Sequence, residues 1–489
     1  MDITIGKFTL ETLTSGMYDR PKDIFREYIQ NAVDSIDVAI SQKLVTKEKS
    51  QIAIKIIKDE RRIKISDNGT GISNENATRY LLDIGRSPKR FTNARGFRGI
   101  GRLAGLAYCE KLTFETTAFD DDKRTIIEFD AKTLREHMMN NSFDVDLLSL
   151  ITKSVSIKIE QETRTSHYFR VIMTGVEDID GILDIEKVVE YLEQVAPIDF
   201  DKEFYWGRII KQKLRVFGFA PSNYNIVVCN DIKRQTIFKA YKDSLVSDRL
   251  RKLEDTITEI DIKEFTYNGE IIAYLWYGRT SFFGTLQDGT IKGIRVRKGN
   301  ILIGDKITLN HVFKDERFNG WLLGELHLVS DKLIPNARRD EIERNEAYNS
   351  LINDLKTWSD RISSEIRKTS GQRNLDKKAQ RIIELAHCEE TPTIEATEAV
   401  VIPEVDLISK TENDEINHIE LVAALDALIG SQSSTKYKAL NIQSNITIEQ
   451  KKVLERVFDI LCSDGSQSSH SLITKIIREF AQKPLVIAK

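Results

Sequence analysis

The sequence predicts an α+β protein of more than one domain. Three observations carry this: an amphipathic helix near the N-terminus, a series of short β-rich runs after it, and a second mixture of strands and helices beyond about residue 205. At 489 residues the chain exceeds what one hydrophobic core serves, so two or three domains are expected. An apolar share of 40% beside 30% charged residues is that of a soluble globular protein.

Charge and cysteine content exclude several classes. The net charge of -3 gives no overall attraction to nucleic acid or to an anionic membrane. The opening Met1-Asp-Ile-Thr-Ile-Gly lacks the basic flank and apolar run of a signal peptide, and no stretch reaches the roughly eighteen apolar residues of a membrane span. Cys109, Cys229, Cys388 and Cys462 are far apart, without a Cys-x-x-Cys pair. Neither a zinc site nor a disulfide framework is expected, and a cytoplasmic location is.

Taken in order, residues 2 to 10 alternate loosely, with Ile3, Ile5, Phe8 and Leu10 suited to an edge strand or an arm reaching a partner. Asp19-Arg20-Pro21 sets a helix start. On that helix, at about 100° per residue, Phe25, Ile29, Ala32, Val33 and Ile36 share one side, and Glu27, Asn31 and Asp34 share the other. An ordinary solvated amphipathic helix has the same pattern. Gln51 to Ile57 and Arg62 to Ser66 read as a hairpin whose second strand runs into Asp67-Asn68-Gly69-Thr70-Gly71. The glycines permit a tight turn and close approach of a ligand, and the carboxylate is fixed where it accepts hydrogen bonds. A simple turn uses the same residues.

A short helix around 76 to 82 and a basic segment, Ile84 to Arg90, lead to Arg95-Gly96-Phe97-Arg98-Gly99-Ile100-Gly101-Arg102. Gly96, Gly99 and Gly101 precede a helical stretch, so backbone N–H groups are available to anionic oxygens. The pattern is neither a Walker A motif nor a Rossmann fingerprint. Strands at Lys111 to Thr117, Arg124 to Phe129, Ser154 to Glu160 and Tyr168 to Thr174 complete a sheet with helices on one face. A helix follows at 184 to 195, with a boundary near Pro197.

In the second α+β domain, strands are expected at Val216 to Phe219, Asn225 to Cys229, Ile271 to Tyr277, Ile294 to Val296 and Ile301 to Ile303, and helices near 240 to 253 and 345 to 368. A strand from Gly324 leads into Pro335-Asn336-Ala-Arg338-Arg339-Asp340. That loop either aims a fixed cation at a ligand in the first domain or carries two surface charges ahead of a helix. Arg295, Arg297 and Lys298 form the clearest basic cluster here and read as a solvated strand edge rather than a DNA contact. His137, His167 and His327 read as structural or surface residues. Residues 389 to 415, rich in Glu, Thr and Pro, read as a flexible linker, and amphipathic helices follow from about 416.

Arg26-Glu27 with Asn31 and Asp34, then Asp67-x-Gly69-x-Gly71, then Gly96-x-x-Gly99-x-Gly101, resemble in order and spacing the three nucleotide-binding boxes of the GHKL (Bergerat-fold) ATPases. That superfamily includes gyrase B subunits, the ninety-kilodalton heat-shock chaperones, histidine kinases, MutL and the MORC proteins. The chaperone branch fits best, because Arg-Glu-x-x-x-Asn-x-x-Asp opens the domain and Pro335-Asn336-Ala-Arg338-Arg339-Asp340 sits where that branch has a catalytic loop. Two features depart from it: Gly96-Phe97-Arg98-Gly99 looks more like the MutL version of the third box, and the segment after Gly85 is shorter than a full chaperone lid. A histidine kinase places its ATPase module after a phosphoacceptor helix pair, and a topoisomerase subunit adds an acidic cleavage domain. Neither arrangement is read here.

The resemblance implies a Bergerat α/β sandwich over residues 1–195, a ribosomal-protein-like α+β transducer over 196–345, connecting helices over 346–388, the linker over 389–415 and a helical region over 416–489. It implies ATP hydrolysis with Mg2+, with Glu27 as general base and Asn31 as the metal-binding amide. Asp34 belongs to the same box, and Asp67 accepts a hydrogen bond from the adenine amino group. Gly69 and Gly71 let the base approach the backbone, and Gly96, Arg98, Gly99, Ile100 and Gly101 face the phosphates. Arg339, with Arg338 as competitor, is the γ-phosphate-sensing cation. The function so implied is an ATP-dependent homodimer whose lid closure acts on a protein partner. The alternative is a MORC-like or MutL-like clamp on DNA or recruiting a nuclease, including in prokaryotic defence.

Overall fold

The computed structural model describes residues 20–83, 101–139, 147–248 and 252–388. The arm at 2 to 10, the glycine-rich loop up to residue 100, the linker and the C-terminal helices expected above lie outside the described residues. Among the described residues, those up to Ser370 cluster as one compact unit that holds two large sheets and a two-stranded one, and those from Gly371 fall in another.

The first sheet grows around the predicted hairpin. β1 (Ile52–Ile57) and β2 (Arg62–Asp67) pair antiparallel with Ile54 opposite Ile65, and both strands alternate buried and half-buried residues. That period of two puts Ile52, Ile54, Ile56, Ile63 and Ile65 on the core face and Lys55 and Lys64 on the other. β3 (Lys111–Thr117), β4 (Lys123–Asp130), β5 (Val155–Gln161) and β6 (Tyr168–Thr174) extend the sheet as predicted. With β7 (Ile226–Cys229) and β8 (Arg234–Thr236) its order is β5-β4-β3-β6-β2-β1-β7-β8, and only β1 and β7 run parallel.

Helix α1 (Asp23–Ser41) covers the core face with Phe25, Ile29, Ala32, Val33 and Ile36, each at most 3% exposed. Fully burying each large apolar side chain there is worth about 1.5–3 kcal/mol. Helices α2 (Asn74–Leu82), α3 (Ala131–Met139), α4 (Leu147–Ser154) and α5 (Ile185–Val195) belong to the same part, α5 being capped by Asp184, which accepts from the N–H groups of Glu186 and Lys187.

The second sheet, ordered β11-β12-β15-β13-β14, consists of Glu259–Tyr267, Glu270–Arg279, Leu323–Leu328, Gly293–Lys298 and Ile301–Ile303. The long C-terminal helix of the described residues, α7 (Glu346–Cys388), seats Leu351, Leu355, Trp358 and Ile362 in this sheet's core. Several expectations are corrected. Val216 to Phe219 is not a strand: helix α6 (Tyr205–Val216) ends there because Gly207, Ile210 and Leu214 bury at helical spacing and Gly218 adopts φ +77°. Residues 240 to 253 hold no helix among the described residues. β9 (Ser244–Ser247) instead pairs with β10 (Leu253–Thr256), since Leu245 and Ser247 bury while Ser244 and Val246 face out, a period of two. The strand expected at Asn225 to Cys229 forms as β7, in the first sheet rather than the second.

Apart from the core under α7, the second sheet packs a further core around Trp276 and Leu323, and the chain crosses three times between two cores, first that of the first sheet and second this one. Ile198 belongs to the first and Phe200 to the second; Leu214 to the second and Tyr224 to the first; Ile237 to the first and Tyr241 to the second.

Candidate functional site

The charged face of α1 is not solvated. Glu27 is 8% and Asp34 5% exposed, while Asn31 between them is half-buried. Burying carboxylates costs free energy unless they meet cations or donors, so such a face signals a built polar site.

At one end of this face, β2 terminates in buried Asp67, whose Oδ1 accepts the Gly69 N–H at 2.9 Å. The Thr70 N–H donates to Ser35 Oγ of α1 at 3.0 Å, and a Cβ on Gly69 would stand 2.2 Å from that oxygen. Gly69 is thus required for loop and helix to touch. Gly71 has φ +61°, and a Cβ there would meet the Thr117 carbonyl at 1.9 Å, so the turn and the adjoining sheet already demand this glycine. His167 Nδ1 lies 2.7 Å from the Gly69 carbonyl and braces the same loop.

At the other end stands the loop 335–342. Asn336 organises it: its side chain donates to Asp340 Oδ1 and accepts from the Asp340 and Glu341 N–H groups, while its carbonyl accepts from Arg339 N. This turn holds Arg339 at φ +58°, a costly backbone for a branched-chain-free but bulky residue. The outcome is a contact across 312 residues of sequence: Arg339 Nε sits 3.4 Å from Glu27 Oε1, both side chains 11% exposed. Arg26, 2% exposed, donates to the Arg338 carbonyl at 2.9 Å and so ties the same loop to α1. The Arg338 side chain is exposed.

The helix that follows the glycine-rich loop is also pinned to α1. Gly101 begins a 3-10 helix, Gly101–Ala107, and the buried Tyr28 hydroxyl donates to the Arg102 carbonyl at 3.0 Å and accepts from the Gly105 N–H at 2.9 Å. Arg102 in turn donates to the Leu81 and Asp83 carbonyls at the end of α2. Burial pulls its guanidinium down to about 10, still a cation at neutral pH. Gly96, Arg98, Gly99 and Ile100 lie outside the described residues.

One helix thus gathers the Asp67 loop, Asn31, Glu27 and Arg339 in a row. From Ser35 to Glu27 the axis rises about 12 Å, a span suited to an elongated ligand with a base at one end and phosphates at the other. Sequence reasoning missed Tyr28 and Ser35, gave Arg26 no role within its box, and read His167 as structural or surface, in keeping with its brace on the Gly69 carbonyl. Arg26 and Tyr28 stood inside the quoted stretch, but only the distant partners give them roles. The basic cluster is corrected as well. Arg295 and Arg297 are each 2% exposed, because β13 is an interior strand; Arg297 pairs with Glu325, and Arg295 donates to the Gly289 and Thr290 carbonyls.

Among the described residues no helix is long and apolar enough to cross a membrane. A family model described as histidine kinase-, DNA gyrase B-, and HSP90-like ATPase matches residues 21–165. The chain is 25% identical over 228 residues to the chaperone protein HtpG of Cupriavidus metallidurans, covering 42% of this chain and 33% of that chaperone. It is 27% identical over 185 residues to HtpG of Rickettsia rickettsii, covering 34% and 29%, and 28% identical over 128 residues to HtpG of Fusobacterium nucleatum, covering 22% and 21%. It thus spans at most about a third of the length of these curated relatives. The row of polar groups along α1, the sheet beneath it and these matches make residues 21–165 a GHKL ATPase domain, on the HSP90-like branch of that superfamily.

Proposed function

We propose that the chain binds ATP along α1 and hydrolyses it to ADP and phosphate. The contact between Glu27 and Arg339 carries this reading, because it joins a carboxylate on a rigid helix to a cation from a remote loop where a γ-phosphate would end. Asp67, with one oxygen held by Gly69, would offer its carboxylate to the adenine amino group. Gly101 and the loop before it would face the phosphates.

The residues present fit magnesium. Asn31 offers a hard amide oxygen on the face shared with Glu27, and the ion's other ligands would be phosphate oxygens and waters, since no group of three or more His, Cys, Asp or Glu side chains gathers among the described residues. When bound, the ion would neutralise phosphate charge. Glu27 would take a proton from the attacking water, whose oxygen bonds to the γ-phosphorus as the bond to ADP breaks. Arg339 would stabilise the charge that develops, and Arg338, whose side chain faces solvent, would contribute its carbonyl as the anchor for Arg26.

On this reading the cycle serves a protein partner, with an ATP-dependent homodimer as the working form. It rests on the HtpG relatives, which are chaperones by name. A DNA clamp draws no support from Arg295 and Arg297, both being buried.

ATP hydrolysis by the purified protein is measured beside Glu27→Ala and Arg339→Ala, with binding assayed in parallel. Glu27→Ala should bind ATP with magnesium without turnover. A wild type that neither binds nor hydrolyses ATP overturns the proposal.

A further inference from the structure

The two cores are joined around one carboxylate. Glu325, at the centre of β15, is 0% exposed and receives five groups: Lys239 Nζ at 2.6 Å, Arg297 Nε at 2.5 Å, His327 Nε2 at 3.1 Å, Trp276 Nε1 at 3.3 Å and the Tyr241 hydroxyl at 3.4 Å. Two of its partners reach the first core. Arg297 spends another N–H on the Gln194 carbonyl at the end of α5, at 2.9 Å. Lys239 follows β8 of the first sheet, and its backbone N–H donates to Asp199. Asn300, 2% exposed, closes the circle: its oxygen accepts from Lys239 at 2.9 Å, and its amide donates to the Ser222 carbonyl and to Asn223 at 3.0 and 2.8 Å, in the second of the three crossings.

Stability alone is a weak reason for this arrangement. Buried ion pairs recover little beyond their desolvation cost, and apolar residues of the same volume often serve as well. What such a network does supply is geometry, because each partner must stay in place or leave a buried charge unmet. Its geometry leads to the catalytic loop from two sides. β15 runs on toward Pro335, and β14, which follows Asn300, leads directly into Gly304, whose N–H donates to the Arg339 carbonyl at 2.8 Å.

We propose that Glu325, Arg297 and Asn300 are positioning residues that lock the second sheet onto the ATPase domain, so that the fold itself sets Arg339 on Glu27 and no ATP-driven swing between the cores delivers it. This rests on the reading of Arg339 as the phosphate-facing cation. It moves the ATP-dependent step away from the junction.

The test uses the full chain with native cysteines replaced by serine and nitroxides at Phe119→Cys and Ile307→Cys, both exposed sites, diluted with unlabelled protein so that distances within one chain are read. A narrow distance distribution, the same with and without magnesium-ATP, is expected. A broad distribution, or a mean that shifts by several ångströms with nucleotide, overturns the lock.

Arg297→Lys keeps a cation for Glu325 but cannot also reach Gln194. It should broaden the distances and lower kcat about tenfold or more with KM for ATP unchanged, the signature of a displaced catalytic group. Wild-type distances and kcat in Arg297→Lys would refute the positioning role; should that variant not fold, Asn300→Ala reads the same outcomes. If the wild type proves unable to bind ATP, the proposed function falls, while the distance distribution still decides the lock.

Discussion

Replacing Tyr28 by Phe removes one oxygen atom from the interface between α1 and the helix after the glycine-rich loop. The ring stays, and Tyr28 is only 3% exposed, so water cannot take the hydroxyl's place without rearrangement. Two hydrogen bonds go, to the Arg102 carbonyl and from the Gly105 N–H. Each is worth about 1 kcal/mol net, and a buried donor left unmet costs about 1–3 kcal/mol, so the loss should total about 2–4 kcal/mol. Urea unfolding followed by circular dichroism measures it, with Tyr205→Phe as control because Tyr205 is 54% exposed. The control should shift stability by less than about 0.5 kcal/mol. ATP affinity should weaken together with stability, since the pinned helix begins at Gly101. A Tyr28→Phe protein as stable as the control would refute the claim that this hydroxyl holds the segment after the glycine-rich loop to α1.

Glu27→Gln should keep the site's shape and its ATP affinity while turnover falls about 10²–10⁴-fold, read by phosphate release beside calorimetric binding. Asp67→Asn keeps an oxygen for the Gly69 N–H but turns a donor toward adenine, so ATP affinity should drop about 10–100-fold with stability nearly unchanged. Gly71→Ala should destabilise the first core by at least about 1–2 kcal/mol, because the left-handed backbone disfavours a side chain and the Thr117 carbonyl occupies its space; thermal melts report it. Burial holds the His327 imidazole down to about 4, below the value of about 6.5 it has in an unfolded chain. The unfolded chain therefore binds the proton first, and stability present above pH 6.5 should decline by up to about 3 kcal/mol as pH falls toward 4. His327→Gln should flatten that decline in urea titrations at successive pH values.

By itself the sequence determined the elements whose signal is local. The side of α1 that holds Phe25, Ile29 and Val33, the hairpin ending in Asp67, and the strands β3 to β6 beside it follow from periods of 3.6 and 2, which a chain displays before it folds, whereas β8 was not expected and β7 was placed in the wrong sheet. The turn at Asp67, Gly69 and Gly71 was legible for the same reason, since glycines and a carboxylate at fixed offsets mark where a backbone must bend. Only the tertiary structure decided what lies opposite. That Arg339 and not Arg338 meets Glu27 depends on a turn fixed by Asn336, hundreds of residues from the helix it serves. Arg295 and Arg297 read as a solvated edge because a strand's place in its sheet is a non-local property, and in an interior strand beside Glu325 the same residues are core. Residues 240 to 253 misled for a related reason: which face of a short apolar run is covered depends on what packs there, and the hairpin of β9 and β10 buries Leu245 and Ser247 at a period of two. Local pattern fixes what each segment can be, whereas the burial of charge is settled by partners that only folding brings near.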